Sequence, residues 1–283
     1  MTSSVQLLDL DQFGEPRSSA AYLVRGERAA LVDTGTARSV PRLIDALRGV
    51  SIDWILVTHL HLDHAGGAGA LAAAHPEATI VAHPKALAHL VDPTRLEESV
   101  RAANPALFPL YGRPTPIAEA RLRPAADGET LDLGRAVRLE ALHTPGHAAH
   151  HVCWFEPGKR LLFAGDAVGH HDVPVDLPLT VPPRFDLEKA LATLSRLRRL
   201  RTQAIAYAHF GVADRAEARL AAYARDVAAW LARIAELRTR QSEDEIVREI
   251  LEEPKYASIP AASREIARLC VTGALASLPG DVR

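Results

Sequence analysis

Within six positions the segment His59-Leu60-His61-Leu62-Asp63-His64 carries three imidazoles and a carboxylate, directly after the apolar run Trp54-Ile55-Leu56-Val57 and Thr58. That density of ligand-type side chains reads as a metal site and constrains the fold more than any other feature of the chain. Neutral imidazole with carboxylate suits a borderline divalent ion such as zinc, iron or manganese. Calcium would call for oxygens alone, and structural zinc usually recruits thiolates. The apolar run reads as a short buried strand ending where the histidines begin, and residues 65–74 as the helix that follows. The cluster is therefore expected on a strand-to-helix loop, where Gly66 and Gly67 let backbone approach closely.

A metal held by one loop needs ligands from elsewhere, and three more apolar runs end in one. Residues 137–142 alternate and lead into His143-Thr144-Pro145-Gly146-His147, where Pro and Gly force a turn that leaves His147 beyond the strand. Leu161-Leu162-Phe163-Ala164 leads into Gly165-Asp166, and Ala204-Ile205-Ala206-Tyr207-Ala208 into His209. An earlier run, Leu31-Val32, ends in Asp33-Thr34-Gly35.

This set, His-x-His-x-Asp-His followed by a His, an Asp and a last His, resembles the signature of the metallo-β-lactamase superfamily from Asp33 to His209. The resemblance implies His59, His61 and His147 on one divalent ion, Asp63, His64 and His209 on a second, and Asp166 bridging the two. The ions would be zinc first, with iron or manganese as alternatives. Asp33 resembles the early strand-end aspartate that orients the cluster, a role needed because a ligand histidine must have its other nitrogen fixed by an acceptor. The residues alone indicate an α/β protein. The resemblance adds a four-layered αβ/βα sandwich with the ligand loops along one edge.

Two ions bridged by a carboxylate also bridge a water and lower its pKa enough to yield hydroxide near neutral pH. Asp166 and Asp63 are then the catalytic carboxylates, one holding the pair together and one also receiving or guiding a proton. The implied activity is hydrolysis of a small-molecule acyl substrate. The wording from Thr58 to Gly67 and the helical segment after His209 are similar to the glyoxalase II (hydroxyacylglutathione hydrolase) branch, whose members hydrolyse thioesters. The glutathione-holding positions of that branch have no counterpart beyond Lys255-Tyr256, whose surroundings differ. A lactonase shares all seven ligands and is the first alternative. A mononuclear iron persulfide dioxygenase, which a metal count would separate, and a non-catalytic ligand-binding protein are the others.

Of the thirteen histidines, His143, His150 and His151 stand close enough in sequence for contacts behind the ligands, and His83 follows the strand 79–82. His170 and His171, four and five residues past Asp166 in the stretch 165–174, are expected near the substrate end of the metal edge, as is Phe210 beside His209. The irregular segment 84–124 is a candidate wall or lid carrying exposed aromatics.

At 283 residues, 48% hydrophobic and 24% charged, the chain has the composition of a folded soluble domain. It shows neither a signal-peptide pattern nor about 20 uninterrupted apolar residues, so a cytoplasmic protein with no membrane partner is expected. Two cysteines indicate no disulfide framework. A formal charge of −2 argues against a nucleic-acid partner, and the basic run from Arg196 to Arg201 reads as a solvated helix terminus. After His209 the pattern turns helical. Leu220, Tyr223, Val227, Trp230, Leu231, Ile234 and Leu237 form an apolar stripe over residues 214–239. Two further helices are expected, one capped by Ser242 with Glu245 and one over 261–278. The expected organisation is a metallo-β-lactamase-like domain over 1–212 and a helical extension over 213–283. The extension's first turn is expected to shape the pocket, with a homodimer interface as the alternative use of the stripe.

Overall fold

The computed structural model describes residues 4–171, 177–181 and 185–279. Asp172, Val173 and Pro174, the end of the stretch singled out after Asp166, lie outside them. Among the described residues two six-stranded sheets face each other. The first runs in chain order through β1 (Val5–Asp9), β2 (Ala20–Arg25), β3 (Ala29–Val32), β4 (Trp54–Leu56), β5 (Thr79–Ala82) and β6 (Leu122–Pro124). The second contains β7 (Thr130–Gly134), β8 (Val137–His143), β9 (Val152–Glu156), β10 (Leu161–Phe163), β11 (Ala204–Tyr207) and β12 (Gly211–Asp214), again as neighbours in chain order.

Parallel pairing links β3 to β4, β4 to β5, β5 to β6 and β10 to β11, and these crossovers carry most of the helices of the sandwich. The crossovers hold α1 (Val40–Ala46), α2 (Leu62–Ala65), α3 (Ala68–Ala74), α4 (Leu87–Val91), α5 (Thr94–Ala103), α6 (Phe108–Tyr111) and α7 (Leu187–Arg199). Three helices end the chain, α8 (Ala216–Arg238), α9 (Glu243–Leu251) and α10 (Ala261–Ser277).

The strands β2 to β5 and β9 to β11 are apolar at nearly every position because both faces are covered. Ala29 and Leu31 point to the helical side of the first sheet, while Ala30 and Val32 point between the sheets. On β9, Val152 and Trp154 face the inter-sheet core and Cys153 and Phe155 face the layer under α7. The result is helix, sheet, sheet, helix. The apolar stripe of α8 finds cover within the chain: Val227, Trp230, Leu231, Ile234 and Leu237 pack with α9, α10, Leu177 and Leu179. Ser242 and Glu245 close the capping box that starts α9.

Three expectations change. The helix read over 65–74 is two pieces, α2 and α3, so Asp63 and His64 lie in a helical turn rather than on a loop. A Cβ on Gly67 would come within 2.9 Å of the Thr34 carbonyl, so the break lets the turn after β3 press against the motif. The boundary expected between residues 212 and 213 falls inside β12, which pairs antiparallel with β11. The aromatics of segment 84–124 are not exposed, since Phe108 and Tyr111 are buried with Leu62 and with Ile266 and Leu269 of α10. No helix among the described residues is long and apolar enough to cross a membrane.

Candidate metal centre

Each ligand-type residue sits at the carboxyl end of a strand or just beyond it: His59 to His64 after β4, His147 between β8 and β9, Asp166 after β10 and His209 after β11. Packing the sheets face to face brings these ends to one edge. The side chains there form two groups, His59 with His61, His147 and Asp166, and Asp63 with His64 and His209, each with its ligating atoms within 4.8 Å of one another. Asp166 joins the groups. Its Oδ2 lies 3.3 Å from His147 Nε2 and 3.7 Å from His59 Nε2, while its Oδ1 lies 3.3 Å from His64 Nε2 and 3.6 Å from His209 Nε2. Asp63 Oδ2 is 3.5 Å from His209 Nε2 and 3.8 Å from His64 Nε2.

The surroundings decide which nitrogen of each ring carries the proton. Asp33, buried at the end of β3, accepts the Thr58 amide at 2.8 Å with one oxygen, and with the other the Thr58 hydroxyl at 2.8 Å and His64 Nδ1 at 3.0 Å. Because the Thr58 hydroxyl donates to a carboxylate, its oxygen is left to accept from His59 Nδ1 at 3.1 Å. His147 Nδ1 donates to the Leu179 carbonyl at 2.8 Å and His209 Nδ1 to the Ser18 carbonyl at 3.2 Å. With Nδ1 committed to these acceptors, four rings turn Nε2 inward. His61 presents Nδ1 instead, 3.0 Å from both His59 Nε2 and His147 Nε2.

These three nitrogens lie close enough for one cation to take a lone pair from each. His64 Nε2 and Asp166 Oδ1 are buried without a hydrogen-bond partner. The donor set thus fits a divalent ion, and the cluster is a site for one.

Charge is balanced unevenly across the site. Burial, then the neighbouring imidazoles, hold His59 well below the ordinary histidine range, and burial with His147 does the same for His61. For His64 burial opposes charging, but Asp166 and Asp63 outweigh it and raise its pKa well above that range. Asp166 stays ionised despite burial, held down by His64, His209 and His147.

Sequence reasoning gave His151 only a general place behind the ligands. It is fully buried, its Nε2 accepts the Asp166 amide at 3.1 Å, and Thr144 Oγ1 lies 2.7 Å from its Nδ1. Gly165, at φ 49°, makes room for it, since a Cβ there would stand 2.6 Å from His151 Nε2. His83 and His143 lie ring against ring, centroids 4.2 Å apart and tilted by 38°, and His143 bonds the Ala125 carbonyl. The carbonyls of Ser18 and Leu179 had no signal in the sequence, because any residue supplies one.

The metal edge opens onto a cleft continuous with solvent. His61, Asp63, Asp166 and His209 form its floor, and His170 also lines it. His171 points elsewhere, toward the Tyr207 ring at 5.4 Å and Arg219. Its backbone brackets the ligand instead, its amide donating to the His209 carbonyl and its carbonyl accepting from the Phe210 amide. Phe210 does not line the cleft. It lies in the turn between β11 and β12, with its ring buried in the inter-sheet core. The helical wall is Ile266, Leu269 and Ser263 of α10 rather than the first turn of α8. Val100 and Ala103 of α5 and Tyr111 of α6 form the side drawn from segment 84–124.

The sequence matches the description "Metallo-beta-lactamase superfamily" over residues 14–209, and the chain belongs to that family. It is 28% identical over 203 residues to "Metallo-beta-lactamase fold-containing protein ST1585" of Sulfurisphaera tokodaii, which spans 70% of this chain and 74% of that protein. The crystal structure of ST1585 from Sulfolobus tokodaii superposes with a TM-score of 0.74 at 21% identity, covering 98% of this chain and 100% of that one. A hydroxyacylglutathione hydrolase of Methylobacillus flagellatus is 30% identical over 50% of this chain and 43% of its own length. An atrochrysone carboxyl ACP thioesterase of Aspergillus fumigatus is 27% identical over 62% of this chain and 35% of its own length. The chain thus spans less than half the length of these last two.

Proposed function

We propose that this protein is a dinuclear metal-dependent hydrolase of an acyl substrate, with a thioester as the first candidate. One observation carries the proposal: two ligand groups share the two oxygens of Asp166 at the floor of a largely apolar cleft. The relatives named as hydroxyacylglutathione hydrolase and ACP thioesterase support a thioester. His59, His61 and His147 would hold one ion, Asp63, His64 and His209 the other, with Asp166 between them. Zinc suits the imidazole-rich set, and iron or manganese would be held by the same atoms. When bound, the ions supply Lewis acidity that activates water and polarises an acyl carbonyl.

The chain's own residues supply the rest. Asp63 lies both in the second ligand group and in the cleft lining, so its carboxylate is placed to take the proton that water gives up and pass it to the leaving group. Leu62, Val100, Ala103, Leu179, Val181, Ile266 and Leu269 bury the acyl chain and exclude bulk water. No Lys or Arg is among the described residues lining the cleft, which disfavours a leaving group that carries two carboxylates, such as glutathione. Metal analysis together with turnover on matched thioesters and lactones tests the reading. Two ions per chain and thioester cleavage are expected; one ion at saturation would remove the dinuclear assignment, and cleavage of lactones alone would move the protein to the lactonases.

A further inference from the structure

The loop between β1 and β2 forms one cleft wall that bears polar groups. Gln12, Phe13, Glu15 and Ser18 all line the cleft, and the Ser18 carbonyl fixes ligand His209. The loop is tightly determined. Phe13, at φ 60°, stands edge-on to Tyr111 at 5.4 Å, and the Ser18 hydroxyl ties the loop to the carbonyls of Gln12 and Glu15. Gln12 is only 2% exposed, yet its Oε1 is buried with no hydrogen-bond partner. An amide oxygen in that state costs the fold about 1 to 3 kcal/mol, which a donor on a bound molecule would recover by drawing the side chain round to present that oxygen to the cleft. Glu15 stands beside it, one oxygen accepting the Ser263 hydroxyl of α10 at 3.1 Å. A carboxamide can turn its NH₂ outward, but a carboxylate offers only acceptors, so Glu15 sets the sign of this pole.

We propose that Gln12 and Glu15 form an acceptor pole that selects acyl substrates bearing a hydroxyl, amide N–H or ammonium on an otherwise apolar body. The inference rests on the hydrolase reading and narrows its substrate class. A site built to receive a donor discriminates against the analogue lacking it, because binding that analogue leaves the acceptor buried and unpaired. A carboxylate in the same place meets Glu15 and is rejected by like charge.

The test is a matched panel of thioesters of one neutral thiol, with acyl chains of equal length ending in methyl, hydroxyl, ammonium or carboxylate. The same chains as non-hydrolysable amides are titrated calorimetrically. The metal-loaded full chain is expected to favour hydroxyl and ammonium over methyl, and methyl over carboxylate, by kcat/KM and by affinity. Gln12→Leu should erase the hydroxyl-over-methyl preference by ~10-fold or more. Glu15→Gln, nearly isosteric and on a partly exposed residue, should shift the ammonium-to-carboxylate ratio by a similar factor. Unaltered ratios in Glu15→Gln, or a wild type indifferent to the terminal group, would overturn the pole even if hydrolysis is robust. Donor-selective binding of the amides without turnover of any thioester or lactone would uphold the pole and overturn the hydrolase.

Discussion

The two ligand groups have the same chemistry but different supports. In the Asp63, His64 and His209 group the second nitrogens are held by Asp33 at the end of β3 and by the Ser18 carbonyl before β2, both parts of the first sheet and its loops. In the His59, His61 and His147 group, His59 leans on Thr58, but His147 leans on the Leu179 carbonyl, in a segment anchored by the C-terminal helices. The Leu179 amide donates to the Tyr223 hydroxyl of α8 at 3.3 Å. Trp230 Nε1 donates to Thr180 Oγ1 at 3.1 Å, and that hydroxyl donates to the Cys270 carbonyl of α10 at 2.6 Å. One half of the site is thus internal to the sandwich, while the other extends into the helical end. The helical end therefore does more than wall the cleft, and disturbing it should act on one group only.

The largest effect should come from the residue that belongs to both halves. Asp166→Asn keeps the shape but removes the charge facing both groups, and both are expected to lose affinity by more than the roughly 10- to 100-fold typical of an outer partner. Metal content after dialysis against a limiting ion supply checks this, and a loss confined to one ion would contradict the bridging role.

Next in size is a contrast between two supports. Asp33→Asn should weaken both groups by ~10-fold or more, because Asp33 holds His64 directly and His59 through Thr58. Tyr223→Phe removes only the hydroxyl behind Leu179, so a loss of a few-fold confined to the His147 group is expected, on the order of one hydrogen bond. Stepwise Co²⁺ titration followed by visible absorption separates the two; equal loss at both ions in Tyr223→Phe would refute the asymmetry.

The smallest expected effect is in proton release. His59 and His61 have depressed pKa values and are neutral near pH 7, so loading their group displaces no proton. His64 has a raised pKa and carries a proton there, so loading its group must release one, and affinity at that group should fall first as pH decreases. Calorimetry in buffers of different ionisation enthalpy measures the count; release from both groups, or from neither, would show that the charge is distributed otherwise.

Much of this was readable from local pattern. The apolar runs at 54–57, 161–164 and 204–208 are strands, each delivering its ligand within three residues of its end, a distance over which the chain cannot stray. The 3.6-residue stripe of α8 was equally plain. Phe210 is misplaced because its neighbour His209 belongs to the site while the turn between β11 and β12 carries the next ring into the core. The split at Gly66 was missed because it depends on the turn after β3, some thirty residues earlier, pressing against the motif.

Which side chains can bind a cation, and that each follows a strand, is legible along the chain, since both come from residue chemistry and from periods of two and 3.6 over a short stretch. Only the tertiary structure decided that Asp166 divides its oxygens between two groups, that His151 steadies its backbone, and that Gln12 is left buried with an unpaired oxygen. Those outcomes depend on which loops meet when two sheets pack face to face, and on backbone carbonyls that every residue carries alike. No local pattern encodes them.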